Sequence, residues 1–241
     1  MVRINRFLAM CNLGSRRNVE QLIKSNRIMI NNSPCNDLSR NIDPDTDKVY
    51  LDGKLLKSDT DLFYIMLNKP RNYLVTKKDD FGRKTVFKLL PEFPVNLFPV
   101  GRLDYLSEGL LLITNDGFLC NLILHPRFKL AKVYRVTIKG KLSDDNIREL
   151  RQGVLLDGRK TLPAIVHLKK SLDDIQVFRI TIFEGRNRQI RRMFESFKVE
   201  VTNLKRLQIG DLKLANLPVG SWRFLSPLEV RKIIQNCLGK K

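Results

Sequence analysis

The 241-residue sequence is poor in the side chains that bind metals or form disulfides. It has two histidines, His125 and His167, and four widely separated cysteines without a C-x-x-C pair. Neither histidine lies at ligand spacing from a cysteine or from the other histidine, so we expect no metal site and no disulfide framework. A Walker loop and a dinucleotide fingerprint are also missing, which favours chemistry without a cofactor.

Long apolar runs and a secretory signal are missing as well. The segment 1–7 carries charge but has no continuous apolar stretch and no small-residue cleavage site. No run is long enough to span a bilayer, and no basic helix has a wide apolar face. We therefore expect a cytoplasmic protein with no membrane partner.

Acidic residues are the minority among the charged ones. The 25 Asp and Glu face 44 Lys and Arg, which gives a formal net charge of +19 and a sequence pI of about 10.0. Such a charge attracts polyanions, and nucleic acid is the favoured partner. The hydrophobic fraction of 43% is enough for a folded core, either in one large domain or in a small domain joined to a larger one.

The N-terminal part of the chain has the pattern of two short helices followed by small strands. Ile4, Phe7 and Leu8 recur at helical spacing and predict a helix over 3–10. A second helix is predicted over 16–25, with Ser15 as its cap. Strands follow over 27–31 and 49–56, the latter turning at Asp52-Gly53. The plain alternative is a helical hairpin whose arginines are only solvated.

A polar joint over 57–61 divides the chain into a small basic domain, 1–58, and a larger domain, 62–238. In the larger domain, strands and helices mix without a steady βαβ alternation, which favours an α+β fold over a doubly wound sheet. Strands are predicted over 63–67, 134–139, 164–168 and 177–183, and helices over 118–124, 143–151 and 188–197. The tail 239–241 is expected to be loose.

Asp104 is the first candidate for chemistry. It lies in a polar loop bounded by Gly101 and Gly109, which leads directly into an apolar run. Reactive groups are often displayed on loops of this kind. The alternative is structural, because a loop aspartate also caps turns, or here pairs with Arg102.

An arginine-rich segment over 183–194 is the second candidate. If it is helical from Arg188, one face carries Arg188, Arg191 and Arg192, and the other carries Ile190, Met193, Phe194 and Phe197. A guanidinium under a buried carboxylate can hold it in a bidentate pair and keep it ionised. A solvated arginine face on a surface helix fits the pattern equally well.

Tyr134 is the third candidate. Strand alternation over 132–138 puts it on the same face as Val136 and Ile138. A tyrosine on an inner face is usually part of the core, with one partner for its hydroxyl. It can also form a flat platform for a base pulled out of a nucleic-acid helix.

Two resemblances connect these pieces. Residues 3–31 follow the pattern R-x-x-R-F-L-A-x-x-x-L-G-S-R-R-x-x-x-x-L-I-x-x-x-R-I-x-I-N. This resembles an RNA-binding module shared by a small-subunit ribosomal protein and many RNA-modifying enzymes. The resemblance implies that both helices lay a basic face on structured RNA, with contacts from Arg3, Arg6, Arg16, Arg17 and Lys24.

Residues 2–236 resemble the RsuA/RluB family of ribosomal RNA pseudouridine synthases. The shared motifs are L-N-K-P-R-N-Y-L-V-T (67–76), G-R-L-D-x-x-S-E-G-L-L-L-I-T-N-D-G (101–117), H-P-x-x-x-x-x-K-x-Y-R-V (125–136), D-G-x-x-T-x-P-A (157–164) and E-G-R-N-R-Q-I-R-R-M (184–193). The resemblance implies a mixed, mainly antiparallel sheet behind the small RNA-binding domain. It also implies isomerisation of uridine to pseudouridine without a cofactor.

Residue roles follow from this resemblance only where the motifs match. Asp104 would be the catalytic aspartate, Tyr134 the ring that stacks on the target base, and Arg191 the partner of Asp104. Arg102 would help to fill the space left by the flipped nucleotide, and Arg188 joins the RNA-contacting set. Asn72 departs from the usual glycine, but asparagine tolerates a left-handed backbone, so we expect the turn to be kept.

The expected partner is ribosomal RNA or a ribosomal precursor particle, bound by a monomer. The segments 184–193 and 210–222 resemble the branch that acts on large-subunit (23S) RNA more than the small-subunit enzyme. Two rivals remain: a non-catalytic ribosome-assembly or RNA-binding protein, and a DNA-binding regulator. The second lacks a convincing recognition helix or dimer zipper, and no DNA partner is expected.

Overall fold

The computed structural model describes residues 1–14, 16–57 and 61–239. The predicted cap Ser15, the side chain of Arg16, part of the polar joint and the last two residues of the tail lie outside the described structure. The chain forms two compact units, one of Met1–Leu62 with Phe93–Leu97 and one of Phe63–Glu92 with Phe98–Lys241. No helix in the described ranges is both long and apolar enough to cross a bilayer.

The first unit packs two helices against short antiparallel strands. Their bounds are β1 Val2–Arg3, α1 Ile4–Met10, α2 Arg16–Lys24, β2 Ile28–Ile30, β3 Ser33–Pro34, β4 Asn41–Ile42, β5 Val49–Leu51 and β6 Lys54–Leu55. Strand β1 pairs with β4, and the other strands form a sheet in the order β3-β2-β5-β6. Ile4, Phe7 and Leu8 are buried, as their helical spacing predicts. Asp52 and Gly53 both adopt positive φ between β5 and β6, as a tight hairpin turn requires.

The second unit is built on one twisted sheet. The strands are β7 Tyr64–Lys69, β8 Phe98–Pro99, β9 Glu108–Thr114, β10 Lys132–Lys139, β11 Leu155–Leu156, β12 Arg159–Lys160, β13 Ile165–Leu172, β14 Ile175–Ile182, β15 Glu200–Ile209, β16 Leu212–Lys213 and β17 Trp222–Phe224. The main order is β13-β14-β10-β15-β9-β7-β17. Strands β15 and β9 pair in parallel, whereas their neighbours pair antiparallel. The predicted α+β fold with a mixed, mainly antiparallel sheet is therefore confirmed.

The described helices of this unit begin where the sequence offers a start signal or a break. They are α3 Gly117–Leu124, α4 Asp144–Gln152, α5 Gln189–Glu195 and α6 Pro227–Leu238, with 3-10 turns at Val86–Leu89 and Pro126–Phe128. Asp116 and Ser143 cap α3 and α4 through their side chains. Helix α5 begins one residue later than predicted, because Arg188 adopts a left-handed backbone (φ +47°) and ends the preceding loop.

The centre of the sheet is apolar on both faces. Residues 110–113 of β9 form a continuous buried run, as do residues 65–67 of β7. Helices α3 and α6 cover one side of these strands with Leu119, Leu122 and Ile233. Strand β9 is thus fixed in position from the core side. The polar loop that precedes it, with Asp104, is held at the edge of this rigid platform.

Candidate active site

The loop over 101–107 joins β8 to β9 and carries Asp104. Two glycines fix its ends. Gly101 has a φ of +75°, which favours glycine. At Gly109 (φ +102°) a Cβ atom would lie 2.2 Å from the main-chain oxygen of Arg206, so only glycine permits the parallel contact of β9 with β15. The glycine-bounded motif is therefore required by the backbone, and it holds the Asp104 loop against β15.

Lys69, the last residue of β7, lies under this loop. It is 0% exposed, and its Nζ donates to the main-chain oxygens of Pro70 (2.9 Å), Asp104 (3.2 Å), Tyr105 (3.4 Å) and Ser107 (2.7 Å). Burial lowers the pKa of Lys69 to about 8, although the charges of Asp104 and Glu108 act in the opposite direction. The ammonium group therefore determines the shape of the loop from below.

Arg191 approaches the side chain of Asp104 from α5. Its Nε lies 3.8 Å from Oδ2 of Asp104, whose side chain is 32% exposed. Burial lowers the pKa of Arg191 below its ordinary value, and the Asp104 charge opposes that effect. Arginine nevertheless remains protonated in proteins. The structure thus brings together the carboxylate and the guanidinium that the motifs suggested.

The predicted bidentate pair is wrong. Nη1 of Arg191 donates instead to the main-chain oxygen of Val201 in β15, at 2.7 Å. This bond turns the planar guanidinium away from a two-fold contact with Asp104. Nε and Nη2 are buried and make no hydrogen bond within the described residues. In the part of the chain that is described, the Asp104 carboxylate is therefore held by one long ionic contact.

The predicted arginine face of α5 is solvated only in part, since Arg188 is exposed and Arg191 is buried. Arg191 is only 6% exposed, and Arg192 pairs with Asp157 at 2.5 Å. Ile190, Met193 and Phe194 are buried on the other side, as expected. Helix α5 packs on β15, and this packing buries Arg191. The alternative of a solvated arginine face is therefore wrong for Arg191, the arginine that contacts Asp104.

Tyr134 lies on the buried face of β10, together with Val136 and Ile138. Its side chain and Asp104 line one cavity of about 140 Å³. No hydrogen bond of the Tyr134 hydroxyl is found within the described ranges. A flat aromatic ring and a carboxylate therefore border the same small space, which suits a single planar ring.

Two buried cations in this cavity were not singled out from the sequence. Lys132 and Arg206 are both buried and both line the cavity. Burial and, to a smaller extent, the nearby Arg206 charge lower the pKa of Lys132 to about 8. Arg206 donates through Nε to the main-chain oxygen of Leu110 at 2.7 Å. The sequence signal that could have identified them is a basic residue at an inward-facing position of a strand, Lys132 in β10 and Arg206 in β15.

The remaining predicted residues of this unit lie at the rim. Arg102 is exposed and lines the cavity. It makes no ion pair with Asp104 in the described structure, so the alternative in which these two pair is wrong. Arg188 is exposed, lines the same cavity and lies 3.3 Å from Glu195. Asn72 has a φ of +64° and donates its N–H to Tyr105, which confirms that the turn is kept.

The predicted RNA contacts of the first unit are surface residues where they are described. Arg3, Arg6, Arg17 and Lys24 are all exposed. Arg3 precedes α1, Arg6 lies within it, and the other two belong to α2. Their ammonium and guanidinium groups are free to meet phosphate oxygens. The side chain of Arg16 lies outside the described residues.

Both units resemble known protein families. A family model described as RNA pseudouridylate synthase matches residues 63–196, and an S4 domain model matches residues 2–48. An RNA pseudouridine synthase of Aquifex aeolicus (strain VF5) is 39% identical over 97% of this chain and 94% of its own. The ribosomal large subunit pseudouridine synthase B of Bacillus subtilis (strain 168) is 36% identical over 97% of this chain and 96% of its own.

A solved structure supports the same assignment. The crystal structure of a pseudouridylate synthase superposes with a TM-score of 0.69 and 30% identity, covering 97% of this chain and 100% of that one. The family expected from the motifs is thus confirmed by sequence and by fold. The chain belongs to the RNA pseudouridylate synthase family and carries an S4 domain at its N-terminal end.

Proposed function

We propose that this protein isomerises specific uridines of large-subunit ribosomal RNA to pseudouridine, with Asp104 as the reacting carboxylate. The observation that carries the proposal is the 3.8 Å contact between Asp104 and the buried Arg191, next to a cavity shared by Asp104 and Tyr134. The large-subunit substrate is supported by the similarity to the Bacillus subtilis large-subunit enzyme.

The reaction rearranges one nucleotide and consumes no outside group. The N1–C1′ bond of the uridine breaks, the uracil turns, a C5–C1′ bond forms, and the hydrogen on C5 is released as a proton while N1 gains one. Asp104 can either attack C1′ or remove a ribose proton to give a glycal. Both routes need a carboxylate within reach of the sugar, and Arg191 places a positive charge 3.8 Å from that of Asp104.

The other side chains have distinct roles in this proposal. The target uridine leaves its stack and enters the cavity, where the Tyr134 ring stacks on the uracil. Lys132 and Arg206 provide buried positive charge on the cavity wall. When the glycosidic bond breaks, negative charge spreads over the uracil, and fixed cations in a site of low dielectric stabilise that charge. Arg102 and Arg188 contact the surrounding RNA at the rim.

Binding of the RNA is divided between the two domains, which we place at 1–58 and 62–238. The small domain contributes exposed cations on α1 and α2, which contact phosphates and read shape. The larger domain positions one nucleotide for reaction. We expect a cytoplasmic monomer that acts on ribosomal RNA or a precursor particle, without DNA or a membrane.

A tritium-release assay tests the proposal directly. Unmodified large-subunit rRNA transcript carrying tritium at uracil C5 is incubated with the protein, and released tritium is counted. Isomerisation releases the label, whereas a non-catalytic RNA-binding protein or a DNA-binding regulator releases none. Small-subunit transcript labelled in the same way is the matched control, and equal or greater release from it would overturn the large-subunit assignment.

A further inference from the structure

A second cavity, of about 480 Å³, is also bordered by the Asp104 loop. It shares Arg102, Leu103 and Asp104 with the first cavity. Its opposite wall is the segment 74–83, which includes Phe81. Because both cavities border this loop, a nucleotide held in the second cavity contacts the same loop that borders the first cavity. The proposed reaction places one uridine in the first cavity and assigns no ligand to the second.

Phe81 is displayed at the rim of the second cavity. Its residue surface is 82% exposed, although burying a phenylalanine side chain is favourable by about 1.5–3 kcal/mol. The side chain is nevertheless held in a defined place. Its ring lies over the guanidinium of Arg83, with 5.1 Å from Cζ to the ring centroid. One face of the ring thus has a partner within the chain, and the other is open to a ligand.

Hydrogen bonds to Asp79 hold the turn that carries Phe81. The carboxylate of Asp79 accepts hydrogen bonds from the main-chain N–H groups of Phe81 (3.2 Å) and Arg83 (2.7 Å). It also accepts from the Arg83 side chain through Nε (3.1 Å) and Nη2 (2.6 Å). These bonds fix Phe81 and the cation behind it as one unit, so little conformational entropy is lost when a flat ligand stacks on the ring.

The lining of the second cavity combines aromatic rings with a cation, which suits a nucleotide. The two carboxylates of the 78–83 turn are already paired: Asp79 with Arg83, and Asp80 with Lys78 at 3.4 Å. Arg102 makes no ion pair in the part of the chain that the structure describes, and it is available for a phosphate. Tyr105, which is exposed, adds a second aromatic ring to the lining. Aromatic faces with one available cation suit an unpaired base and its phosphate.

We propose that Phe81 is a stacking platform for an unpaired RNA base adjacent to the target uridine, seated in the second cavity. The inference rests on the proposed function, because it takes the target nucleotide to lie in the first cavity. Stacking on Phe81 holds the strand next to the nucleotide that reacts. It also makes the flanking nucleotide part of what the enzyme recognises.

Single-turnover kinetics on unmodified large-subunit rRNA transcript test the platform. Phe81→Ala should raise the enzyme concentration for half-maximal rate about tenfold, with the saturated rate unchanged within about twofold. Phe81→Trp restores a stacking ring and should restore affinity. Phe118→Ala removes an exposed phenylalanine from α3, outside both cavity linings, and is the matched control. Wild-type affinity for Phe81→Ala would overturn the inference.

Photocrosslinking locates the base that is bound. The photoreactive residue p-benzoylphenylalanine is placed at position 81, the complex with transcript is irradiated, and reverse-transcription stops are mapped. Stops next to the nucleotide that wild-type enzyme converts to pseudouridine support the inference, and stops confined to remote RNA overturn it. Absence of any RNA crosslink also overturns it. Tritium release by the wild type is measured in parallel, so failure of the proposed function is recognised separately.

Discussion

The two units use positive charge in opposite ways. In the first unit, the candidate RNA-binding residues Arg3, Arg6, Arg17 and Lys24 are exposed. In the second unit, four cations around the candidate site are buried: Lys69, Lys132, Arg191 and Arg206. Exposed cations attract phosphates and are screened by salt. Buried cations are screened little and act on the nearest carboxylate, main-chain oxygen or ligand.

This difference predicts that substitutions in the two units change different measured quantities. Changes at Asp104 and at the buried cations of the second unit should alter the rate of the bound complex, whereas a change at its exposed rim, such as Phe81, should alter affinity. Changes in the first unit should alter affinity and its salt dependence. A substitution that moves both quantities together would contradict the division.

The largest effect is expected at Asp104. Asp104→Asn keeps the size of the side chain but removes the charge, and single-turnover tritium release should fall by roughly 10⁴-fold or more. RNA affinity should stay within about threefold, because the cations that contact phosphates are unchanged. Filter binding measures the affinity. Asp145→Asn, on the exposed side of α4, is the control, and robust turnover by Asp104→Asn would refute the assignment.

Arg191→Met is expected to come next. Loss of the guanidinium removes the positive charge beside Asp104 and the bond to Val201, and the saturated rate should fall by about 100-fold. Single-turnover tritium release at saturating enzyme measures this loss. Arg192→Met, on the next residue of α5, should behave nearly as wild type, and equal losses for both variants would reject the specific role of Arg191.

The titration of Lys69 should make activity and stability depend on pH in opposite directions. Its pKa is about 8 in the folded chain, against about 10.4 when unfolded. Above pH 8 the folded chain releases the proton and weakens the contacts with the loop, so activity should fall. In the same range the unfolded chain binds more protons, so this group makes folding more favourable as pH rises.

Lys69→Met isolates that contribution. The free energy of unfolding of wild type minus that of Lys69→Met should increase between about pH 8 and 10, as measured by urea denaturation. Below pH 8 the difference should be constant, because both states of the wild type are protonated there. Lys141→Met, at an exposed site, should show no such trend. A constant difference across the whole range for Lys69→Met would show that its pKa is not lowered by burial.

The smallest effect on the rate is expected in the first unit. Arg17→Gln with Lys24→Gln should weaken RNA binding by about tenfold, and the slope of log affinity against log salt should fall by about 0.7–0.9 for each phosphate that is no longer neutralised. The saturated single-turnover rate should not change. Lys54→Gln, on β6 of the same unit, is the control. A reduced saturated rate would show that α2 does more than bind.

Sequence reasoning located the elements better than the contacts between them. Apolar spacing within a segment is a local property, and it correctly indicated α1, α2, β10 and α5. The start of α5 was misplaced because nothing in the local pattern signals the left-handed backbone of Arg188. The role of Lys69 was missed because its partners are carbonyl groups of a distant loop, and main-chain oxygens have no sequence signature.

The site illustrates the same limit at the level of individual bonds. Motifs indicated which residues meet, and Asp104 and Arg191 do meet. The geometry of the meeting depends on Val201, which takes the Nη1 hydrogen bond and belongs to a strand that contributes nothing to either motif. Phe81 was overlooked for a related reason, since the exposure of its side chain depends on how the 78–83 turn folds.

The clamp formed by Lys69 has a consequence for how this enzyme can diversify. Among the described residues, the partners of the ammonium are all main-chain oxygens. The path of the loop therefore does not depend on which side chains it carries at positions 105 and 106. Both of those side chains are exposed. New substrate preferences can therefore arise by replacing these two side chains while Asp104, the proposed reacting group, stays in place. Selectivity can then change without a change in the chemistry of the site.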